Sequence, residues 1–214
     1  MKKNYLLTLL LCSAVGFAQI PTGYYNTATG TGLTLKTNLK KIIDNVSDGI
    51  PSEHLHSDQG YAALWTLYTH TAFRDNYYEN DGSLLDMYSE NPSGADSYNY
   101  TTTSQQCGSY SGEGDCYNRE HLIPQSYFDG YATNPMKNDP FFVVPSDGKV
   151  NGDRNNLPFG KVGTATYTSQ NGSKRGNGIN SGYALGYSGV VFEPIDEFKG
   201  DIARAFFYFA TRYE

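Results

Sequence analysis

The sequence predicts an α+β fold, a single domain of mixed helices and short strands. Two stretches carry apolar residues at the spacing of a helix, residues 33–46 and residues 201–213. Between them, short apolar runs alternate with segments rich in Gly, Ser, Thr and Asn, a pattern typical of short strands joined by turns. The 214 residues are enough for one domain with a substantial hydrophobic core.

The amino terminus has the features of a secretory signal peptide. The chain starts with Met-Lys-Lys, and residues 5–17 form an apolar run that is too short to span a bilayer. A small-residue site then predicts cleavage after Ala18 and a mature domain of residues 19–214. Cys12 has no small residue before it, which disfavours a lipid anchor. We therefore expect a secreted or periplasmic protein without a membrane anchor.

The composition is acidic. The formal net charge is −6, and loss of the two lysines of the signal peptide would make it −8. An acidic protein does not hold nucleic acid through a general basic field. Any attraction to nucleic acid must therefore be local and assisted by a metal ion.

The mature chain would keep two cysteines, Cys107 and Cys116, on either side of a Gly- and Ser-rich segment. An even pair in an exported protein, joined by a flexible segment, predicts one disulfide. The alternative is a pair of free thiols. A zinc site is disfavoured because no second cysteine pair or histidine cluster accompanies these two residues.

The first half of the chain is predicted to be mainly helical. Residues 33–46 form an amphipathic helix with its lysines on the outer face, and residues 60–73 form a second helix. The alternation of residues 84–89 predicts a strand. Three histidines have no acidic motif beside them and are interpreted as surface or core-edge side chains: His54, His56 and His70.

Residues 141–144 predict a short buried strand that stops at Pro145. Ser146 is a good N-cap residue, so a helix is expected over residues 147–155. Gly152 lowers the helix propensity there and would allow close approach of another group.

Residues 163–189 are predicted to be loops and short strands because they are rich in small and polar residues. An apolar helix over residues 201–213 closes the chain. Its predicted buried face consists of Ile202, Ala205, Phe206 and Phe209. The helical pattern is still running at Glu214, which suggests that the natural domain continues beyond it.

Two polar segments about thirty residues apart carry the chemistry. They are Tyr-Asn-Arg-Glu-His-Leu-Ile-Pro at residues 117–124 and Asp-Gly-Lys-Val-Asn-Gly-Asp-Arg-Asn-Asn at residues 147–156. A hard divalent cation prefers oxygen ligands, such as the carboxylate of Glu120 and the amide of Asn151. A neutral imidazole such as that of His121 can accept a proton from water near neutral pH. These residues predict a metal site with a base beside it.

The two segments resemble the bacterial endonuclease I family of secreted, non-specific nucleases, whose signature is similar to N-R-E-H followed by D-G-x-V-N-G. The resemblance covers about residues 60–213 and includes D-G-S-L-L-D-M-Y-S at residues 81–89 and G-D-I-A-R-A at residues 200–205. That family belongs to the ββα-metal, or His-Me finger, nucleases. The resemblance therefore implies a ββα-metal core at about residues 107–160.

The resemblance also implies a role for each central residue. Glu120 and Asn151 would bind one divalent metal, Mg²⁺ by preference, with Mn²⁺ or Ca²⁺ as substitutes. His121 would be the general base. The alternative for Glu120 and His121 is a surface pair with a structural role.

Three basic residues are candidates for contacts with phosphate. The guanidinium groups of Arg119 and Arg154 match phosphate oxygens, so Arg119 is assigned to the catalytic set and Arg154 to substrate binding. Lys137 is the only basic residue of its loop and is a second candidate for substrate binding. Either arginine can instead form a salt bridge that orients Glu120 or Asp153.

One departure from the family's pattern lies just before Pro145. Phe141 and Phe142 stand where the family often has a polar residue. We interpret them as supporting residues, whose packing affects the orientation of His121. If one of these positions is essential, the protein is a weak or inactive relative.

The sequence thus predicts a secreted, metal-dependent endonuclease that cleaves DNA and RNA without sequence specificity and works as a monomer. Phosphate contacts position a nucleic acid without reading its sequence, which agrees with non-specific cleavage. A rival hypothesis is a secreted binding protein, catalytically weak or inactive, whose Tyr-rich surface holds a glycan or another protein. A third hypothesis keeps the fold but assigns a different phosphodiester as substrate.

Overall fold

The computed structural model describes residues 20–128, 134–179, 187 and 189–213. The predicted signal peptide, Glu214 and part of the loop before Lys137 lie outside these residues. The contacts between residues divide the chain into two units, residues 1–55 and residues 56–214. The boundary of a mature domain at residue 19 stays a prediction.

Within its described residues, the first unit has one helix, α1, over Gly32–Ile43. It ends at Ile43 and not at the predicted Val46, because Asp44 adopts an extended conformation. The Asp44 carboxylate accepts the backbone N–H of Val46 at 3.2 Å, which turns the chain out of the helix.

The second unit contains the remaining helices and strands of the described chain. They are α2 (Ala63–Leu67), β1 (Tyr117–His121), β2 (Val143–Asp147), α3 (Gly148–Arg154), β3 (Val162–Thr168), β4 (Lys174–Gly178), β5 (Val190–Glu193) and α4 (Asp196–Arg212). Strands β1 and β2 form one antiparallel sheet, and β3, β4 and β5 form a second antiparallel sheet in that order. These mixed helices and short antiparallel strands confirm the predicted α+β class.

The small β1–β2 sheet positions both motif segments. Glu120 pairs with Val144, and Asn118 pairs with Ser146. Helix α3 follows β2 directly and packs against both strands. The second motif segment is thereby brought beside the first.

The prediction of one helix over residues 60–73 was wrong. Only α2 is α-helical there, and a 3-10 turn over Thr71–Phe73 follows it. The chain leaves the helix at His70, which is extended and whose Nδ1 accepts the backbone N–H of Ala72 at 3.2 Å. This side-chain cap replaces the next helical turn.

The prediction of a strand over residues 84–89 was also wrong. Leu84 makes an isolated bridge with Arg74, but the following residues form turns. The Asp86 carboxylate accepts the backbone N–H of Tyr88 at 2.9 Å. The Asp86 carbonyl accepts the N–H of Ser89 at 3.1 Å. These local bonds hold the segment in a turn instead of a strand.

Strand β2 does not stop at Pro145, as predicted, but runs through it to Asp147. A proline is tolerated here because β2 belongs to a two-stranded sheet, in which one edge of each strand needs no N–H donor. The predicted N-cap was wrong by one residue. Ser146 lies in the strand, and the Asp147 carboxylate caps α3 by accepting the N–H of Val150 at 2.8 Å.

Helix α4 starts at Asp196, earlier than the predicted residue 201, and Asp196 and Glu197 favour its first turn electrostatically. Ile202 and Ala205 are buried as predicted, whereas Phe206 is 38% exposed. Strands β3 and β4 confirm the short strands expected within residues 163–189, of which 180–186 and 188 lie outside the described residues.

The main hydrophobic core includes residues of the β1–β2 sheet and of α4, among them Tyr117, Val143 and Ile202. Phe142 is fully buried within it and packs edge-on against Phe209, with ring centroids 5.1 Å apart. No helix of the described residues is long and apolar enough to cross a membrane.

Cys107 and Cys116 form the predicted disulfide, with their Cα atoms 5.7 Å apart. The N–H of Cys107 donates to the carbonyl of Tyr117, the first residue of β1, at 3.0 Å. The carbonyl of Cys116 accepts the N–H of Gly148, the first residue of α3, at 2.9 Å. The disulfide loop is therefore tied to both elements that carry the motif.

Candidate active site

A cleft of about 400 Å³ lies where the end of β1 meets α3. Five of the six residues predicted for metal, substrate or catalysis line it: Arg119, Glu120, His121, Asn151 and Arg154. The sixth, Lys137, contributes its backbone carbonyl, which contacts His121. The structure thus brings the two motif segments together, as the sequence predicted.

Glu120 is buried, and one of its oxygens is held by the protein. Its Oε1 accepts the hydroxyl of Tyr88 at 2.8 Å and lies 3.2 Å from the guanidinium of Arg154. Burial raises the pKa of the Glu120 carboxyl, while the charge of Arg154 and the Tyr88 hydrogen bond act in the opposite direction. Its Oε2 has no hydrogen-bond partner among the described residues, so this oxygen can serve as a ligand.

His121 is held in a single orientation by hydrogen bonds on both ring nitrogens. Its Nε2 lies 3.1 Å from the carbonyl of Lys137, and a carbonyl only accepts, so Nε2 carries the proton. Its Nδ1 then accepts the side-chain amide of Gln125 at 3.3 Å. Burial lowers the pKa of His121 to about 4. The imidazole is therefore neutral near pH 7, with Nδ1 able to take a proton.

Asn151 lies in the middle of α3, as predicted, and its orientation is fixed by Asn118. The Nδ2 of Asn151 donates to the Oδ1 of Asn118 at 2.6 Å. That bond directs the amide nitrogen away and leaves the Oδ1 of Asn151 as the available acceptor. Asn118 and Glu120 lie two residues apart on β1 and share a face of the strand. This alternation is the signal by which Asn118 could have been found.

Arg154 is 1% exposed, and its guanidinium bonds mainly to the protein. It donates to the backbone carbonyls of His121 and Leu122 at 2.7 and 2.6 Å and forms the ion pair with Glu120. The salt bridge to Glu120 is thus present. Arg154 also lines the cleft, so its contact with substrate phosphate stays a prediction. The guanidinium joins the end of β1 to α3.

Arg119 lies at the partly exposed side of the cleft, stacked on aromatic rings. Its guanidinium carbon is 3.4 Å from the ring centre of Tyr61 and 4.1 Å from that of Trp65. It also donates to the carbonyl of Tyr61 at 2.9 Å. The ammonium of Lys137 lies 4.8 Å from the same Tyr61 ring. Two positive charges therefore flank one aromatic side chain beside His121.

Buried acidic groups behind the cleft fix the turn that holds Tyr88. Asp86 accepts the backbone N–H groups of Tyr88 and Asp147 at 2.9 and 2.8 Å. Asp147 accepts the hydroxyl of Tyr100 at 2.6 Å as well as capping α3. Burial raises the pKa of Asp86 to about 7. Sequence reasoning did not assign a role to Tyr88, although it lies in the D-M-Y-S segment.

Gly152 allows the close approach that its sequence context predicted. A Cβ atom at this position would collide with the hydroxyl of Tyr110, a cleft residue that is 37% exposed. A Cβ atom at Gly148 would lie 2.7 Å from the Tyr110 ring. The two glycines of α3 therefore form the surface on which Tyr110 rests.

Comparison with known proteins identifies the family. The family model described as Endonuclease I matches residues 31–214. The chain belongs to the endonuclease I family. It is 30% identical over 209 residues to "Extracellular ribonuclease" of Bacillus subtilis (strain 168). This aligned region covers 97% of this chain and 59% of that protein. It is 31% identical over 193 residues to "Extracellular ribonuclease" of Bacillus amyloliquefaciens, which covers 89% of this chain and 53% of that protein.

The chain thus spans between half and three fifths of these two relatives. No solved structure matches the chain. The match to the endonuclease I family includes both motif segments and the turn that carries Tyr88. All the residues that contact Glu120 therefore lie in the part of the chain that belongs to the family.

The departure from the endonuclease I pattern at Phe141 and Phe142 lies outside the cleft. Phe141 is 67% exposed and packs against Tyr208, with ring centroids 4.9 Å apart. Phe142 is in the core, and its carbonyl accepts the N–H of Leu122 at 3.0 Å. Phe142 therefore supports the end of β1 through its backbone, and neither phenylalanine is among the residues that line the cleft.

Proposed function

We propose that this protein is a secreted endonuclease that hydrolyses phosphodiester bonds of DNA and RNA with one divalent metal ion and a histidine base. The observation that carries the proposal is the neutral His121, whose Nδ1 is the acceptor nitrogen in the cleft that Glu120 and Asn151 also line. The amide of Gln125, which donates to Nδ1 at 3.3 Å, would give way to the attacking water. The succession of β1, β2 and α3 supports the assignment to the ββα-metal nucleases. The names of the two relatives support RNA as one substrate.

The residues of the cleft fit a hard divalent cation. Glu120 offers one carboxylate oxygen that the protein leaves without a partner, and Asn151 offers the amide oxygen opposite its bonded nitrogen. Oxygen donors suit Mg²⁺, which usually keeps several waters and takes only one or two protein carboxylates. When bound, the ion supplies positive charge beside the phosphate oxygens and the leaving oxygen. Mn²⁺ and Ca²⁺ are candidates to replace it.

His121 activates the nucleophile. A water oxygen bonds to phosphorus while the Nδ1 of His121 receives the water's proton. The ester P–O bond breaks, and its oxygen leaves as a hydroxyl after taking a proton from solvent. The Lys137 carbonyl holds the opposite N–H, so the ring cannot turn its protonated nitrogen towards the water. The low pKa of His121 keeps the base unprotonated throughout the neutral range.

The basic residues have separate roles. Arg119 is partly exposed and stacked on Tyr61, so its remaining N–H groups are proposed to bind a substrate phosphate and to stabilise charge at the reacting one. Lys137 is proposed to contact a phosphate further along the strand through its side chain. Arg154 is proposed to position Glu120.

Non-specific cleavage agrees with this arrangement. The groups proposed to bind substrate are cations assigned to phosphates, and phosphate contacts carry no sequence information. The net charge of −6 makes these local cations and the metal the main attraction for nucleic acid. We also propose that the protein is secreted and monomeric. The predicted signal peptide is the reason for proposing secretion.

Cleavage of supercoiled plasmid DNA tests the proposal through its metal. We expect nicking with Mg²⁺, none with EDTA, and recovery when Mg²⁺ is restored. Asn151→Ala removes one proposed ligand, and its Mg²⁺ requirement for half-maximal rate is expected to rise at least about tenfold. Asn38→Ala serves as the matched control, because this amide on α1 donates to the carbonyl of Thr29 and does not line the cleft, and it is expected to keep the requirement of the natural protein.

Absence of cleavage of both DNA and RNA, by a folded and disulfide-bonded protein with Mg²⁺, Mn²⁺ or Ca²⁺, would contradict the proposal. In that case the hypothesis of an inactive binding protein would replace it. Cleavage of only a small phosphodiester would favour the same chemistry on a different substrate.

A further inference from the structure

A second group of acidic residues lies outside the cleft. Oxygen atoms of Asp75, Glu79 and Glu90 lie within 4.8 Å of one another. Asp75 and Glu90 are each 1% exposed, whereas Glu79 is exposed. Carboxylates held this close in a buried environment repel one another. Such an arrangement is relieved by a proton on one carboxyl or by a bound cation.

Among the described residues, Glu90 has no protein partner that could supply a compensating positive charge. Both of its carboxylate oxygens are buried and have no hydrogen-bond partner within the described chain. A buried polar group without a partner is costly, and a buried charge is more so. None of the ion pairs formed by the described residues includes Asp75, Glu79 or Glu90.

The surroundings of Glu90 are negative. Burial, together with the carboxylates of Asp96, Glu79 and Asp75, raises the pKa of Glu90 to about 8. Burial also raises the pKa of Asp96 to about 6, although the N–H of Asn91 acts against it. Asp75 differs, because its carboxylate accepts three backbone N–H groups at 2.6 to 3.0 Å. It is therefore held ionised beside Glu90.

We propose that Asp75, Glu79 and Glu90 bind a calcium ion at a site separate from the cleft. Oxygens bound to one Ca²⁺ at about 2.3–2.6 Å can be no more than about 5 Å apart, which the 4.8 Å limit satisfies. Calcium accepts irregular sets of 6–8 oxygens, whereas Mg²⁺ demands a near-ideal octahedron. The exposed side of Glu79 lets water complete the coordination.

The calcium site supports the turn that holds Tyr88. The N–H of Glu90 donates to the carbonyl of Asp86 at 2.9 Å, and Asp86 also accepts the N–H of Tyr88. Tyr88 in turn donates to Glu120. An ion bound to Glu90 would therefore hold one end of the segment 86–90. The same segment contacts the cleft through the hydrogen bond from Tyr88 to Glu120. The inference does not depend on nuclease activity.

Calcium titration of the metal-free protein by calorimetry tests the site directly. Glu90→Gln keeps the shape of the side chain and removes its charge, so calcium affinity is expected to fall at least about tenfold. Calcium is expected to raise the Tm of Asn151→Ala, whose cleft lacks a proposed ligand, but not that of the double variant Asn151→Ala with Glu90→Gln. Without calcium, Glu90→Gln is expected to be about as stable as the natural protein, because a Glu90 carboxyl with a pKa of about 8 is mostly uncharged near pH 7. Glu53→Gln is the control, since that carboxylate bonds Ser47 and Asp48 outside the cluster.

A second variant protects the test against a folding defect. Glu79 is exposed, so Glu79→Gln cannot disturb the core and is also expected to weaken calcium binding at least about tenfold. Asn151→Ala is expected to leave this site intact. Unchanged affinity in Glu79→Gln, no calcium binding by the natural protein, or loss of its calcium site in Asn151→Ala would each overturn the proposal. None of these readouts requires cleavage, so failure of the proposed function would leave them unaffected.

Discussion

Replacing His121 by Ala is expected to lower the rate of DNA cleavage by about 10²–10⁴-fold, the usual contribution of a positioned general base. The variant loses the Nδ1 that accepts the proton of the attacking water, while Glu120 and Asn151 remain. Its Mg²⁺ requirement is therefore expected to stay that of the natural protein. The measurement is the initial rate of plasmid nicking as a function of Mg²⁺ concentration.

His70→Ala is the matched control, because His70 is exposed and its ring caps a 3-10 turn outside the cleft. We expect it to cleave at the natural rate. A folded His121→Ala that cleaves as fast as His70→Ala would remove His121 from the mechanism. A variant that regains its rate when Mg²⁺ is raised would make the histidine a determinant of metal affinity and not the base.

The sequence was sufficient to predict that the two motif segments meet. Glu120, His121 and Asn151 can act as one site only when they are close together. Their order along the chain resembles the motif order of the endonuclease I family. The structure brings them to one cleft. Residue type and order were informative here because the proposed metal site would admit only certain ligand side chains.

The residues that hold this site were not predictable in the same way. Tyr88 reaches Glu120 across 32 positions of the chain, and Arg154 reaches the carbonyl of His121 across 33. A tyrosine or an arginine in isolation has many possible partners, and sequence periodicity does not choose among them. Only the packing of α3 and of the turn around Asp86 against β1 makes that choice.

Four of the errors in the predicted elements share one physical cause. Asp44, His70, Asp86 and Asp147 each turn or cap the chain by accepting a backbone N–H with the side chain. Each of these side-chain hydrogen bonds replaces the backbone hydrogen bond that would have continued the helix or strand. The two alternatives differ by little more than the free energy of one hydrogen bond. The spacing of apolar residues, from which helices and strands are predicted, does not indicate which of the two hydrogen bonds forms.

Replacing Arg154 by Ala is expected to lower the free energy of unfolding by about 3–5 kcal/mol, the cost of leaving one member of a buried ion pair alone. Glu120 would lose its countercharge, and the carbonyls of His121 and Leu122 would lose their donor. Arg154→Lys is expected to restore only part of the loss, because one ammonium cannot reproduce the geometry of the guanidinium fork. Urea unfolding of the disulfide-bonded protein measures the effect.

Arg175→Ala is the control, since Arg175 also pairs with a carboxylate, that of Asp153, but its side chain is 33% exposed. Its loss is expected to cost less than about 1 kcal/mol, as for other exposed pairs. A stable Arg154→Ala that bound nucleic acid less tightly would instead support a phosphate contact. Loss of stability with cleavage reduced only in proportion to the folded fraction would assign Arg154 to the scaffold alone. A further fall in the Mg²⁺ affinity of the folded protein would show that Arg154 positions Glu120 for the metal.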